Sequence, residues 1–146
     1  MMNWKEYFRR IAQEVKLKSN DIFTKTGVVI VDCNDMILST GYNSIPISVK
    51  NTEGRQMRPE KYYWFIHAET SAIVKAAKLG ISIDGATMYM TCDIPCTDCA
   101  KVIINSGIKK IVCERGGGSK SDIWKEHRIR SLRMFEESGI VIEYYD

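Results

Sequence analysis

Two short clusters carry the chemistry in this sequence: His67-Ala68-Glu69 and Pro95-Cys96-Thr97-Asp98-Cys99. Two thiolates and one imidazole fill three corners of a tetrahedral zinc site and leave the fourth open to water. A carboxylate beside that open corner, Glu69, is placed to move protons. Cys96 and Cys99 are three residues apart, so both face the same way on one helical turn. Pro95 suits the first turn of a helix, where a missing N–H costs nothing. A helix N-terminus also favours the thiolate form that binds metal. His67 and Glu69 open a second helical run, Ala68 to Leu79, closed by Gly80. The pattern therefore predicts two helix N-termini converging on one ion. Taken singly, C-x-x-C reads equally as a redox pair, and H-x-E says little. A purely structural zinc would more often recruit a fourth Cys or His, and other cysteines are present. Together, each before a helix-forming run and after a strand-like one, the clusters favour an open metal site.

The elements that must position these residues are legible around them. Asn3 and Glu6 match a capping pattern. Trp4, Phe8, Ile11 and Val15 follow at helical spacing and are expected to bury one face. Lys18-Ser19-Asn20-Asp21 is polar and turn-like. Gly27 to Val31 reads as a buried strand, Asn34-Asp35 as a turn, and Met36 to Gly41 as the second strand of a hairpin. Asn43 to Ile66 is a long irregular connection that carries Pro46, Gly54, Pro59 and the cluster Tyr62-Tyr63-Trp64-Phe65. Connections of this length are uncommon unless functional or disordered, and the aromatics argue against disorder. A lid, a subunit contact and a satellite hydrophobic cluster are the readings left open.

After the His67 helix, Thr87 to Cys92 reads as a strand, the Cys96 run as a helix and Lys110 to Cys113 as a strand. Gly116-Gly117-Gly118 reads as a flexible loop. Ile129, Leu132 and Phe135 put an apolar stripe on a last helix ending at Gly139, and Ile140-Val141-Ile142 closes the chain as a strand. This order predicts an α/β fold: a three-layer α/β/α sandwich with a mixed five-stranded sheet, in one domain over residues 1–146. A helix between the last two strands makes that pair parallel.

Composition bounds the rest. The 146 residues suffice for one domain with a real core, and 45% hydrophobic with 27% charged is ordinary for a soluble globular protein. A net charge of +3 is too small to argue for a nucleic-acid partner. With no signal peptide and no long apolar span, no membrane partner and a cytoplasmic location are expected. Of the five cysteines, Cys33, Cys92 and Cys113 lie in apolar runs and are expected to be buried free thiols.

With these residues placed, the chain resembles the zinc-dependent cytidine deaminase superfamily, and within it the deoxycytidylate deaminases, over nearly its whole length. The segment from Lys18 to Gly27 is similar to the family's Arg-Ser-Lys-Asp-Pro-x-Thr-Lys-x-Gly, with Lys18 for Arg, Asn20 for Lys and Ile22 for Pro. Gly41-Tyr42-Asn43 matches the family's Gly-Tyr-Asn. The wide gap from Asn43 to His67 separates the chain from tRNA adenosine deaminases, which share the metal motif. The family continues with Gly, then Pro and another Gly; here Ser44, Ile45, Pro46, Ile47 and Ser48 follow. Some relatives hold a second zinc with His or Cys from the connection. None occurs here between Ser44 and Ile66, so one Zn²⁺ per chain is expected.

The resemblance implies hydrolytic deamination of dCMP to dUMP and ammonia, feeding thymidylate synthesis. It assigns His67, Cys96 and Cys99 to the metal, and to Glu69 the transfer of a water proton to ring N3 and then to the leaving ammonia. The backbone N–H of Ala68 corresponds to the donor to the base carbonyl, and Asn43 to the partner of the deoxyribose 3′-hydroxyl. Lys18, Ser19 and Lys25 match the segment that suggests phosphate binding, with Arg128, Arg130 and Arg133 a second choice. The resemblance further implies a homo-oligomer, a hexamer, with dCTP plus Mg²⁺ as activator and dTTP as inhibitor. Deamination of cytidine, dCTP, a modified cytosine nucleotide or tRNA adenosine is the alternative; a non-catalytic zinc-binding assembly module is the alternative of another class.

Overall fold

The computed structural model describes residues 1–116 and 121–146. The loop read at Gly116-Gly117-Gly118 lies, beyond Gly116, outside the described residues. Five strands form one sheet in the order β2-β1-β3-β4-β5, where β1 is Gly27–Val31, β2 Ile37–Tyr42, β3 Thr87–Met90, β4 Lys110–Cys113 and β5 Val141–Tyr144. β1 runs antiparallel to both β2 and β3, while β3–β4 and β4–β5 are parallel. This is the expected mixed sheet. Every residue of β1 is buried, because both sheet faces are covered. Val28 and Ile30 face one core with Met88, Met90 and Ile111; Val29 and Val31 face the other with Tyr89 and Val112.

The first core lies under three helices: α4 (Ala68–Leu79), α5 (Thr97–Asn105) and α6 (Asp122–Ser138). The second is covered by α1 (Trp4–Val15), through Phe8 and Ala12. Asn3 caps α1, its Oδ1 accepting the Glu6 N–H at 2.8 Å. Arg9 forks onto the Glu114 carboxylate at 2.7 and 3.0 Å, tying α1 to the end of β4. Gly80 and Gly139 close α4 and α6 in the left-handed conformation, with φ of 68° and 78°. No helix among the described residues is long and apolar enough to cross a membrane.

Several expectations need correction. Trp4, the first residue of α1, is 56% exposed, and its ring stacks on Phe8 instead of entering the core. Ile129 is 63% exposed, and the inward places of α6 go to Ser131 and Phe135. Cys33 is exposed: β1 stops at Val31, and Asp32 Oδ1 accepts the N–H groups of Asn34 and Met36 to form the hairpin turn. Cys92 lies past the end of β3 and is half-buried, while Cys113 is buried as expected. Pro95 precedes the N-cap of α5 and is not in its first turn.

The long connection is more ordered than its sequence suggests. It contains two single-turn helices, α2 (Glu53–Gln56) and α3 (Lys61–Trp64), and closes on itself through a bridge between Ser44 and Ile66. Gln56 is buried and pins it: its amide donates to the Asn20 carbonyl and to Asn51, and its Oε1 accepts the Ile22 N–H. Polar contacts therefore hold this segment, and Tyr63 is 81% exposed, so it is not a satellite hydrophobic cluster. Between hairpin and α4 the approach is close. A Cβ at Gly41 would lie 2.3 Å from the Ala68 carbonyl oxygen and 2.5 Å from the Ala72 nitrogen, and Ser39 Oγ donates to the Ala72 carbonyl at 2.7 Å.

Candidate active site

Two chain ends of helices meet at the site. His67 is the N-cap of α4 and Cys96 the N-cap of α5, with Cys99 one turn into α5. Both N-caps take extended backbone, which turns their side chains away from the helix axis and toward each other. His67 Nδ1 is 3.4 Å from Cys96 Sγ and 3.4 Å from Cys99 Sγ. The three donor atoms all lie within 4.8 Å of one another. Bonds of about 2.3 Å to sulfur and 2.0–2.1 Å to nitrogen at tetrahedral angles give N–S edges of roughly 3.5 Å, so this trio fits zinc. Thr70 Oγ1 lies 3.4 Å from Cys99 Sγ, and His127 Nδ1 accepts the Thr97 N–H at 3.2 Å, holding the start of α5.

The electrostatics match a cation site. Cys96 is held down to about 4, first by the hydrogen bond with Cys99 and also by His67. Cys99 is raised, because it keeps the proton the two sulfurs share. His67 is pushed up to about 9, chiefly by its hydrogen bond to Cys96. The donor set thus holds protons that a dication displaces. Glu69 is buried, and desolvation, reinforced by the charge on Cys96, raises its carboxyl above the usual range against the opposing pull of His67. A carboxyl so placed can hold and return a proton.

His67, Glu69, Cys96 and Asn43 line one cavity of about 450 Å³. A second cavity, of about 540 Å³, adjoins it and shares Arg58, Tyr62, Phe65, His67, Cys96 and Trp124. Ala68 is the first residue of α4, so its N–H has no partner within the helix. Asn43 is buried and braced: its amide donates to Asp21 Oδ2 at 3.1 Å and the Thr24 carbonyl at 2.8 Å, and its Oδ1 accepts the Thr26 N–H at 2.8 Å. Both amide protons are committed, leaving one Oδ1 lone pair for a ligand.

The phosphate candidates are not brought to these walls. Ser19 is buried, its hydroxyl donating to the Asn43 carbonyl at 2.7 Å; Lys25 Nζ donates to the Ser19 carbonyl at 2.9 Å; Lys18 is exposed at the end of a short 3-10 turn. Asp21, Thr24 and Thr26 of this segment line the cavity and brace Asn43, whereas Lys18, Ser19 and Lys25 are not among the lining residues. Arg128 pairs with Asp93 and Arg130 with Glu126, and neither they nor Arg133 line the cavities.

Residues that sequence reasoning passed over are Asp21, Lys61, Arg58 and Trp124. Asp21 is 1% exposed and binds Lys61 Nζ at 2.5 Å as well as the Phe23 and Thr24 N–H groups. Burial alone would raise its carboxyl; the Lys61 ammonium and the two N–H donors outweigh that and hold it below the usual range. The Lys18–Gly27 segment match was the signal that could have exposed Asp21, and the aromatic cluster the one for Lys61 and Arg58.

A family profile describing the cytidine and deoxycytidylate deaminase zinc-binding region matches residues 2–115. A probable deoxycytidylate deaminase of Caenorhabditis elegans is 39% identical over 108 residues, 71% of this chain and 53% of that protein. The chain thus spans about half the length of that curated relative. An uncharacterized deaminase of Aliivibrio fischeri is 31% identical over 141 residues, covering 97% of this chain and 92% of its own length. The crystal structure of dCMP deaminase from the cyanophage S-TIM5 in complex with dCMP and dUMP superposes with a TM-score of 0.76 at 27% identity, covering 99% of this chain and 100% of that one.

Proposed function

This chain belongs to the cytidine and deoxycytidylate deaminase zinc-binding family, and on that premise we propose that it hydrolyses dCMP to dUMP and ammonia. The observation that carries this reading is the His67–Cys96–Cys99 donor trio with buried Glu69 on the same cavity wall. Zinc held by the trio, one ion per chain, supplies the Lewis acidity that makes a water nucleophilic near neutral pH. Glu69 accepts a proton from the water that attacks C4 and passes it to ring N3; it then takes the proton of the new C4 hydroxyl and delivers it to the amine, which leaves as ammonia as the C4–N bond breaks and the C4 carbonyl forms. The Ala68 N–H donates to the base carbonyl, and Asn43 Oδ1 accepts from the deoxyribose 3′-hydroxyl. A purely structural zinc has no use for a buried acid beside it, so Glu69 favours the enzyme over an assembly module.

The finer parts of the reading are a cytoplasmic homo-oligomer, a hexamer, with the connection after Asn43 at a subunit contact, and control by Mg²⁺-bound dCTP and by dTTP. Exposed Ile47, Tyr62 and Tyr63 support the contact. Ser48 supports the effectors: its φ of 68° keeps the backbone shape that a glycine there would favour. The decisive experiment measures ammonia release from dCMP, deoxycytidine and CMP. The nucleoside should fall at least about tenfold below dCMP in kcat/KM; equal rates on dCMP and deoxycytidine defeat the assignment. Hyperbolic kinetics indifferent to both triphosphates, in a particle sized as a monomer by light scattering, defeat the assembly and control.

A further inference from the structure

We infer that Arg58 takes the substrate's 5′-phosphate, an inference that rests on the nucleotide reading above. The cavity holding Glu69 and Asn43 is lined by two cations, Arg58 and Lys61. Lys61 is committed: its ammonium pairs with Asp21 at 2.5 Å and its side chain is only 13% exposed. Arg58 has no carboxylate partner and no hydrogen bond among the described residues; its recorded contact is the Tyr62 ring, 5.8 Å away. Three acids also line this cavity: Asp21, Glu69 and Asp93. Asp21 is neutralised by Lys61 and Asp93 pairs with Arg128 at 3.3 Å. An entering anion therefore meets one guanidinium without a carboxylate partner, while Asp21 and Asp93 are already paired.

The position suits the role. Arg58 lines both cavities, as do His67 and Cys96 of the donor trio, so it borders the same enclosed space as the base chemistry. It is exposed, so its long side chain is free to reach a bound group. A phosphate monoester carries close to two negative charges at pH 7, and the guanidinium fork engages two of its oxygens at once.

The test compares kcat/KM for dCMP and deoxycytidine in zinc-loaded wild type, Arg58→Gln and Arg58→Lys, with zinc content and Tm measured on each. The dCMP-to-deoxycytidine ratio should collapse by about 10- to 100-fold in Arg58→Gln, mainly through KM. Arg58→Lys should recover part of it. An unchanged ratio, or an equal loss on both substrates, overturns the assignment. Should wild type deaminate neither substrate, dUMP and deoxyuridine are titrated calorimetrically instead. A loss in Arg58→Gln confined to dUMP upholds the phosphate site even as the deaminase reading fails; equal dUMP affinity in both proteins, or wild type that binds dUMP no better than deoxyuridine, overturns it.

Discussion

Replacing Lys61 by Met isolates one buried charge. In the native chain the Lys61 ammonium meets Asp21 Oδ2 at 2.5 Å, with side-chain exposures of 13% and 1%. Removing one partner of a buried pair typically costs about 3–5 kcal/mol, because the other charge stays buried without compensation. Asp21 keeps the N–H groups of Phe23 and Thr24 and the Asn43 amide, so the loss here should lie lower, about 2–3 kcal/mol, or roughly 5–10 °C in Tm. The pH dependence identifies the cause. The folded structure depresses the Asp21 carboxyl, so its contribution is present above the unfolded value of about 3.9 and lost as pH falls through the folded one. In Lys61→Met, burial is opposed only by the remaining N–H donors, and protonation relieves it. The deficit relative to wild type should therefore shrink as pH drops from 7 toward 4. Urea unfolding of zinc-saturated wild type and variant at several pH values measures it, since the metal contribution cancels in the difference. A deficit below about 0.5 kcal/mol at pH 7, or one constant down to pH 4, refutes the reasoning. Adding Asp21→Asn to the variant should restore most of the stability.

Glu69→Gln should bind zinc and fold normally yet lose about 10²- to 10⁴-fold in turnover, because its proton transfers are gone; retention of a tenth of the rate would assign the acid–base role elsewhere. Cys96→Ala or Cys99→Ala should lose zinc and stability together, checked by metal analysis and thermal unfolding; in the wild type, zinc affinity should fall as pH falls, since the ligands must shed their protons. Ser48→Gly should stabilise the chain by about 1 kcal/mol in urea unfolding, because φ of 68° strains any residue with a Cβ.

The cluster of His67, Cys96 and Cys99 was legible because each member is announced by local signals. His67 and Cys96 both stand at helix starts, and α4 ends at the glycine that marked it. The strands read from Gly27 to Val31 and from Lys110 to Cys113 have the observed bounds. What escaped depends on tertiary placement. Periodicity put Trp4 and Ile129 on apolar stripes, yet it cannot say where a helix overruns the surface beneath it. Lys18, Ser19 and Lys25 carry the right chemistry, but which way a loop turns its cations is decided by partners far along the chain: Ser19 and Asn20 are fastened to Asn43 and Gln56. Asp21 and Lys61 are forty residues apart in a segment without periodicity, and no local pattern joins them.

Gly41 acts as a length standard for the metal centre. The Cβ it lacks would sit 2.3 Å from the Ala68 carbonyl, about 1 Å inside ordinary contact, so any side chain there displaces the first turn of α4 by about that distance. His67 and Glu69 belong to that turn, whereas Cys96 and Cys99 belong to a different helix and would not follow. Coordination bonds tolerate only about 0.2 Å. A missing methyl group in the hairpin thus fixes the bite of a ligand set assembled elsewhere in the chain. Position 41 therefore has no room for a side chain although it is not itself one of the donors.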